Sequence, residues 1–209
     1  MSAFPRLAIA GVVVAFSCVS HVPIRASPAE SLPSTGVEPS HVIETLKVRL
    51  LSAHSATAVL EAWCAERGLA DDPSLTAERM PGPDKPLSPE QRLRLRIGID
   101  ESVRYRRVRL ACGTFVLSEA DNWYVPARLT PEMNRVLDTT RTPFGRVVHP
   151  LMPSRRNLSI AQIWTQTAAP PLLNEPIFAI TAVLSTGDGV PFCEVAETYT
   201  GAVIARAQR

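Results

Sequence analysis

Four arginines crowd one apolar stretch of the chain, and their spacing indicates anion binding. Arg104, Arg106, Arg107 and Arg109 all lie within the segment Val103–Leu110. Side chains of a β-strand alternate between its two faces, so Arg104 and Arg106 share one face while Arg107 and Arg109 share the other. Water can solvate one of these pairs. The pair that faces the interior needs an anion, because an unpaired buried charge costs several kcal/mol.

Two glutamates near the end of the chain are candidates for that anion. Glu194 and Glu197 lie three residues apart, so on a strand they face opposite sides and one of them points inward. An inward Arg and an inward Glu in a dry cavity suit a small carboxylate that carries a hydroxyl group at its other end. The alternative is an internal Arg–Glu salt bridge without a ligand, and the pattern alone favours this alternative.

Other chemistry has little support in the sequence. The chain has no Gly-rich phosphate loop, no Gly-x-Ser-x-Gly elbow and no His-Glu-x-x-His motif. His54 and His149 could act as bases, but neither has an evident nucleophile near it. The spacings of Cys64, Cys112 and Cys193 match no zinc pattern, so we expect no metal and no organic cofactor.

Composition excludes further classes of function. The 209-residue chain is 45% hydrophobic, which is enough for one domain with a substantial core. It carries 22 basic and 20 acidic residues, and two of the arginines, Arg6 and Arg25, lie in the first 26 residues. The remainder is formally neutral, so we expect no nucleic-acid partner, since such a surface needs clustered Lys and Arg.

Residues 1–26 are typical of a signal peptide. Arg6 precedes the apolar run Leu7–Val19, and Ala26 offers a small residue before a cut. The 13 apolar residues span about 20 Å as a helix, which is shorter than a hydrocarbon core of roughly 30 Å. We therefore expect an exported protein, periplasmic or secreted, with no stable membrane insertion after cleavage; an uncleaved anchor is the alternative. A linker over residues 27–40 and a domain over residues 41–209 follow.

Periodicity predicts an α+β domain in which helices precede an antiparallel sheet. A helical stripe runs from Val42 to Leu51, and Ser55 and Gly68 are typical of the start and end of a second helix. Further helices are predicted from Pro131 to about Asp138 and from Leu158 to Thr167. Strands are predicted at Leu75–Met80, Leu93–Ile97, Val103–Leu110, Phe115–Leu117, Trp123–Val125, Phe178–Leu184 and Phe192–Tyr199.

Four ordered segments of the chain resemble the chorismate pyruvate-lyase family. The segments are Ser55–Glu61, Arg106–Leu110, Leu137–Arg146 and Gly189–Tyr199. The resemblance extends from about Leu46 to Tyr199. It implies a single domain in which an antiparallel sheet packs against helices and helical flaps cover an enclosed ligand cavity.

The resemblance also implies roles for individual residues. Arg106 would hold the ring carboxylate of the ligand, and Glu197 would protonate the departing enolpyruvyl ether. Phe144 would present its backbone N–H to the ligand, and Ala56 would line the pocket. Arg106 and Glu197 are therefore the expected catalytic residues, and all four residues are expected to contact ligand.

The chain departs from the family at one charged segment. One branch of the family has an Arg-Arg-Ser stretch where this chain has Leu173–Ile177, so a second ligand carboxylate would need another arginine. Arg128, Arg155 and Arg156 are the candidates. The leading hypothesis is an enzyme that eliminates pyruvate from chorismate and leaves 4-hydroxybenzoate. The alternatives are an exported, non-catalytic binding protein for a small aromatic carboxylate, and a structural protein without a ligand.

The resemblance implies that Arg106 and Glu197 line one enclosed cavity. By strand alternation, Arg107 should then point away from it. Cys112 and Cys193 lie on the two strands that carry these residues, so a cross-strand disulfide between them is expected. Cys64 should then stay reduced and buried.

Overall fold

Five α-helices and six strands make up the fold of the described residues. The computed structural model describes Met1 and residues 38–166 and 169–206. The expected signal segment, and the linker as far as residue 37, lie outside the described residues. The helices are α1 Pro39–Ser52, α2 Ala56–Arg67, α3 Pro89–Arg94, α4 Pro131–Thr139 and α5 Phe144–Val148. The strands are β1 Thr76–Arg79, β2 Arg104–Cys112, β3 Phe115–Tyr124, β4 Ser154–Gln162, β5 Pro176–Ser185 and β6 Pro191–Thr200.

The six strands form one antiparallel sheet in the order β1-β2-β3-β6-β5-β4. Strand β3 therefore separates β2 from β6, and β5 separates β6 from β4. Helices α1 and α2 contribute Leu46, Leu50 and Leu60 to the main core, together with Val108 and Ile180 of the sheet. This arrangement confirms the predicted α+β fold with a sheet packed against helices.

Local signals correctly predicted the ends of α2 and α4. The Ser55 hydroxyl caps α2 by accepting from the Ala58 N–H at 3.3 Å. Gly68 ends the same helix in the left-handed region, at φ 62°, which a residue without Cβ adopts at little cost. Thr130 caps α4 in the same way as Ser55, through the Met133 N–H at 3.1 Å.

The predicted strand at Leu93–Ile97 is wrong, because this part of the chain continues from α3. Ser88 and Gln91 form a reciprocal capping box that starts α3, and Pro89 occupies its first turn. Leu93 is exposed and Leu95 is buried at the end of the helix. The alternation of Leu and Arg therefore arises by chance at a helix terminus.

The predicted helix at Leu158–Thr167 is also wrong, because most of it belongs to strand β4. This strand pairs with β5 from Ser154 opposite Ser185 to Gln162 opposite Phe178. A register shift between Asn157 and Ser159 breaks its alternation. Since β4 is a largely exposed edge strand, it lacks the apolar period that would have identified it.

The predicted disulfide is wrong in its partner. Cys112 on β2 is bonded to Cys64 on α2, with Cα atoms 6.2 Å apart, and Cys193 is a buried free thiol. Cys112 lies opposite Phe115 at one end of β3, whereas Cys193 lies opposite Tyr124 at the other end. The length of β3 places these two cysteines about 30 Å apart along the sheet.

Within residues 38–166 and 169–206, no helix is both long and apolar enough to cross a bilayer.

Candidate functional site

Arg106 and Glu197 lie on the same inner face of the sheet. Arg106 is opposite Asn122 on β3, and Glu197 is opposite Ala120, two residues along the same strand. Only 1% of Arg106 and 5% of Glu197 are exposed. Arg107 points to the other face and pairs with a surface glutamate, so the predicted alternation is confirmed.

A small cavity lies between this face of the sheet and the helices, with a volume of about 40 Å³. Glu197 and Arg155 line it from the sheet, Ala56 lines it from α2, and Phe144 lines it from α5. Its other lining residues are His54, Ser55, Thr57, Val108, Leu110, Ala120, Asn122, Gly145, Val148, Pro153, Leu184 and Val195. Three of the four predicted contact residues thus meet in one enclosed space.

The fourth, Arg106, is buried beside this cavity but is not among its lining residues. Its Nη2 lies 3.4 Å from the carbonyl oxygen of Thr142, in the turn that precedes α5. The expectation that Arg106 and Glu197 line one cavity is therefore correct for Glu197 and wrong for Arg106. Burial of the strand face was predictable from alternation, but the direction of a long flexible side chain was not.

Arg106 is a buried cation whose hydrogen-bonding capacity is largely unused. Its Nε and Nη1 have no hydrogen-bond partner among the described residues. Burial lowers the pKa of the guanidinium, and repulsion from Arg79 lowers it further, while Tyr124 and Asp138 act in the opposite direction. A guanidinium offers five N–H donors in a planar fork, which suits a carboxylate. Arg106 therefore has free N–H groups that can donate hydrogen bonds to a bound anion.

Glu197 already has a cationic partner. Arg155 Nη2 lies 2.6 Å from Glu197 Oε2, and both side chains are at most 7% exposed. The hydroxyl group of Tyr199 donates to the same oxygen at 3.1 Å. Glu197 is therefore held as a hydrogen-bond acceptor inside the cavity.

Arg155 is the site residue that sequence reasoning identified only as one of three candidates. Burial lowers its pKa, but the charges of Glu197 and Tyr199 and the hydrogen bond to Glu197 raise the pKa above its ordinary value overall. Of the other candidates, Arg128 pairs with Glu101 and is not among the lining residues, and Arg156 is exposed. Arg155 reaches Glu197 because β4 pairs with β5 and β5 pairs with β6. No local sequence pattern indicates this order of strands.

The wall formed by α5 is aromatic and close-packed. The Phe144 ring lies 5.4 Å from the Tyr124 ring and 6.4 Å from the Phe192 ring, centroid to centroid. The next residue, Gly145, approaches α2 so closely that an added Cβ would lie 2.6 Å from Thr57 Oγ1. Helix α5 and the first turn of α2 thus form a tight cover over the cavity.

A second, larger space adjoins this cover. It is a groove of about 730 Å³ that shares His54, Ser55, Gly145 and Pro153 with the small cavity. The two spaces are therefore adjacent, and we call these four shared residues the partition. His54 and His149, for which the sequence showed no evident nucleophile nearby, both line the groove.

The described part of the chain brings no three His, Cys, Asp or Glu side chains together in a way that could hold a metal ion.

Known structures with a similar shape are domains of bacterial proteins. The effector domain of PhnF from Mycobacterium smegmatis matches with a TM-score of 0.49 at 14% identity, over 71% of this chain and 90% of that domain. YydK from Bacillus subtilis, a possible transcriptional regulator, matches with a TM-score of 0.42 at 14% identity, over 65% of this chain. The match spans 61% of the length of YydK. Similarity at this level carries no functional conclusion.

Sequence comparison defines the family. No protein-family profile matches the chain. The uncharacterized protein y4mC of Sinorhizobium fredii is 43% identical over 187 residues, which cover 82% of this chain and 79% of y4mC. At this identity and coverage, the chain belongs to the same protein family as y4mC.

Proposed function

We propose that the protein binds a small aromatic carboxylate that carries a hydroxyl group at the opposite end of its ring. The observation that carries this proposal is Arg106, a 1% exposed guanidinium whose Nε and Nη1 have no partner among the described residues. A buried charge of this kind is costly without an anion, and a bound carboxylate would supply one. The carboxylate of Glu197 would accept a hydrogen bond from the hydroxyl group of the ligand.

The separation of these two residues suits such a ligand. Arg106 and Glu197 lie two strands and two residues apart in the register. Strand spacing and rise per residue then put their Cα atoms about 12 Å apart on one face. Arg106 contacts the Thr142 carbonyl and Glu197 pairs with Arg155, so both side chains would turn toward this interval when one substituted ring bridges them.

Ligand entry requires the cover to move. The cavity of about 40 Å³ is too small for a ring, since an apolar cavity that binds benzene is on the order of 150 Å³. The tight contact of α5 with the first turn of α2 is the part of the enclosure that can separate without breaking the sheet. These two helical segments therefore serve as the flaps that the family resemblance implies.

Chorismate pyruvate-lyase activity is the second candidate, and Arg155 favours it. Arg155 and Arg106 together place two guanidinium groups on the inner face of the sheet. Chorismate carries two carboxylates, so each guanidinium group could bind one of them. A substrate carboxylate that binds the Arg155 guanidinium would compete with the Glu197 carboxylate for this guanidinium. Glu197, freed from this ion pair beside a second anion, would then take up a proton and act as the general acid on the enolpyruvyl ether.

We also propose that the protein acts outside the cytoplasm, as its first 26 residues predict. The Cys64–Cys112 disulfide supports this proposal, because structural disulfides persist mainly in oxidising compartments.

One titration experiment tests binding. The mature protein is titrated with 4-hydroxybenzoate by calorimetry, alongside Arg106→Met and, as a control on the opposite face, Arg107→Met. We expect saturable binding by wild type and R107M, and at least tenfold weaker binding by R106M, because a hydrogen bond to a charged group contributes about 1.5–3 kcal/mol. Equal affinity of R106M and wild type would refute the proposal.

A second experiment separates binding from turnover. Chorismate is added to the mature protein and 4-hydroxybenzoate is followed by absorbance. Glu197→Gln is compared with Glu194→Gln, which changes another glutamate of the same strand, the one that pairs with the partly exposed Arg94 of α3 at 2.7 Å. Turnover that E197Q abolishes and E194Q retains would establish the lyase. Binding of 4-hydroxybenzoate without turnover of chorismate would establish a binding protein.

A further inference from the structure

We infer that the ligand is larger than a single ring: its carboxylate head occupies the cavity beside Arg106, and an uncharged apolar tail occupies the adjoining groove. This inference rests on the proposed function and names the class of ligand. The cavity holds only about 40 Å³, whereas the groove holds about 730 Å³, within the range of sites that bind drug-sized molecules.

The lining of the groove is mostly apolar. The residues that form its apolar surface are Ala53, Ala58, Val59, Ala62, Met152 and Pro153. Ala58 and Ala62 lie four residues apart on α2, so they form one exposed stripe of small side chains that leaves space above the helix. An apolar chain laid along this stripe would be shielded from water by Met152 and Pro153.

Charge in the groove argues against an anionic tail. Among the described residues that line the groove, Arg49 is the one Lys or Arg, and the carboxylate of Glu66 already neutralises its charge. Its Nη1 lies 2.8 and 2.7 Å from the two carboxylate oxygens of Glu66, and its guanidinium stacks 5.2 Å from the Trp63 ring centroid. Arg106, whose Nε and Nη1 have no hydrogen-bond partner among the described residues, does not line the groove. The head of the ligand is therefore charged and its tail is not.

The partition explains how one ligand would occupy both spaces. Ser55 and His54, at the start of α2, and Gly145, on α5, line the groove and the cavity at once. Gly145 approaches Thr57 closely here, since an added Cβ would lie 2.6 Å from Thr57 Oγ1. The movement of α5 away from α2 that admits a ring would join the cavity to the groove.

Two probes test the inference: 4-hydroxybenzoate and 3-hexyl-4-hydroxybenzoate, which share the carboxylate and hydroxyl groups and differ only in the tail. A buried methylene contributes about 0.8 kcal/mol, which corresponds to roughly fourfold in affinity. With allowance for incomplete burial and ordering of the tail, we expect the hexyl probe to bind at least about 30-fold more tightly.

Two variants of α2 show where the tail binds. Ala62→Phe fills the groove, and Ala65→Phe adds the same side chain at an exposed position on the same helix that does not line the groove. We expect A62F to weaken the hexyl probe at least tenfold without changing the affinity for 4-hydroxybenzoate, and A65F to affect neither.

The outcomes separate the inference from the proposed function. Binding of 4-hydroxybenzoate without a gain from the hexyl tail, or a gain that A62F leaves intact, would overturn the inference and leave the proposed function standing. Failure of both probes to bind would refute the proposed function. A gain that A62F removes and A65F keeps would support the inference.

Discussion

Replacing Arg106 with methionine should stabilise the ligand-free protein while it weakens ligand binding at least tenfold. Methionine fills much of the same space and carries no charge. Nε and Nη1 of Arg106 lack partners, so the substitution sacrifices few favourable interactions beyond the contact of Nη2 with the Thr142 carbonyl at 3.4 Å. A stabilising substitution at a predicted site residue would be direct evidence that the residue is retained for function.

The magnitude follows from the cost of a buried charge. Replacing buried ionic groups by apolar residues of similar volume is often neutral or stabilising, by about 1–4 kcal/mol. The space left by the shorter methionine reduces this gain, so we expect about 1–3 kcal/mol. For a domain of this size, each kcal/mol shifts Tm by about 2–4 °C, so R106M should melt roughly 2–12 °C above wild type.

Ligand should stabilise wild type more than R106M. Wild type with 4-hydroxybenzoate at 100 times its Kd gains about 2.7 kcal/mol, whereas R106M, which binds at least tenfold more weakly, gains at most about 1.4 kcal/mol. Thermal unfolding followed by circular dichroism, with and without ligand, should therefore show a ligand-induced rise in Tm that is roughly 3–5 °C larger for wild type than for R106M. Arg107→Met is the control, because Arg107 is a partly exposed residue paired with Glu119 and its loss should change stability by no more than about 0.5 kcal/mol.

One result would refute the reasoning. If R106M melts several degrees below wild type without ligand, Arg106 is stabilised by its surroundings and does not require an external anion. The argument for a carboxylate ligand would then lose its main support.

Three further predictions concern the cover and the cysteines. Non-reducing peptide mapping should find Cys64 linked to Cys112, and the C64A/C112A variant should lose about 4 kcal/mol of unfolding free energy in denaturant melts, since the disulfide closes a loop with a separation of 48 residues. Burial raises the pKa of the Cys193 thiol well above its ordinary value, so alkylation at pH 9 should label it only after unfolding; rapid labelling of native protein would contradict this. Gly145→Ala should destabilise the protein by about 1–3 kcal/mol because its Cβ would meet Thr57 Oγ1, and a Thr57→Ala background should reduce that loss; an ordinary exposed helical Gly→Ala change would stabilise instead.

Local patterns in the sequence were sufficient for the fold class and for placing Arg106 and Arg107 on opposite faces, whereas the choice of Arg106 as the inward residue came from the family resemblance. The hydroxyl of Ser55 and the absence of a side chain at Gly68 determine where α2 begins and ends, because helix termini are set by groups within a few residues. Alternation on β2 determined that Arg106 and Arg107 face opposite sides, since the period of a strand is two whatever it packs against.

Patterns failed where an element is short or lies at the edge of the sheet. Leu93–Ile97 alternates like a strand, but a capping box upstream commits the chain to a helix. Strand β4 has no recognisable period because its side chains are mostly exposed and a register shift interrupts it. In both places hydrophobic burial, which creates periodicity, is weak.

Only the tertiary structure decided which distant residues meet. Arg155 became the partner of Glu197, and Cys64 the partner of Cys112, through the order of the strands and the packing of α2 on the sheet. Arg106 turned toward the Thr142 carbonyl and away from the lining of the cavity for the same kind of reason. Strand order and helix packing are set by the collective burial of the core, and no short segment of the sequence contains that information.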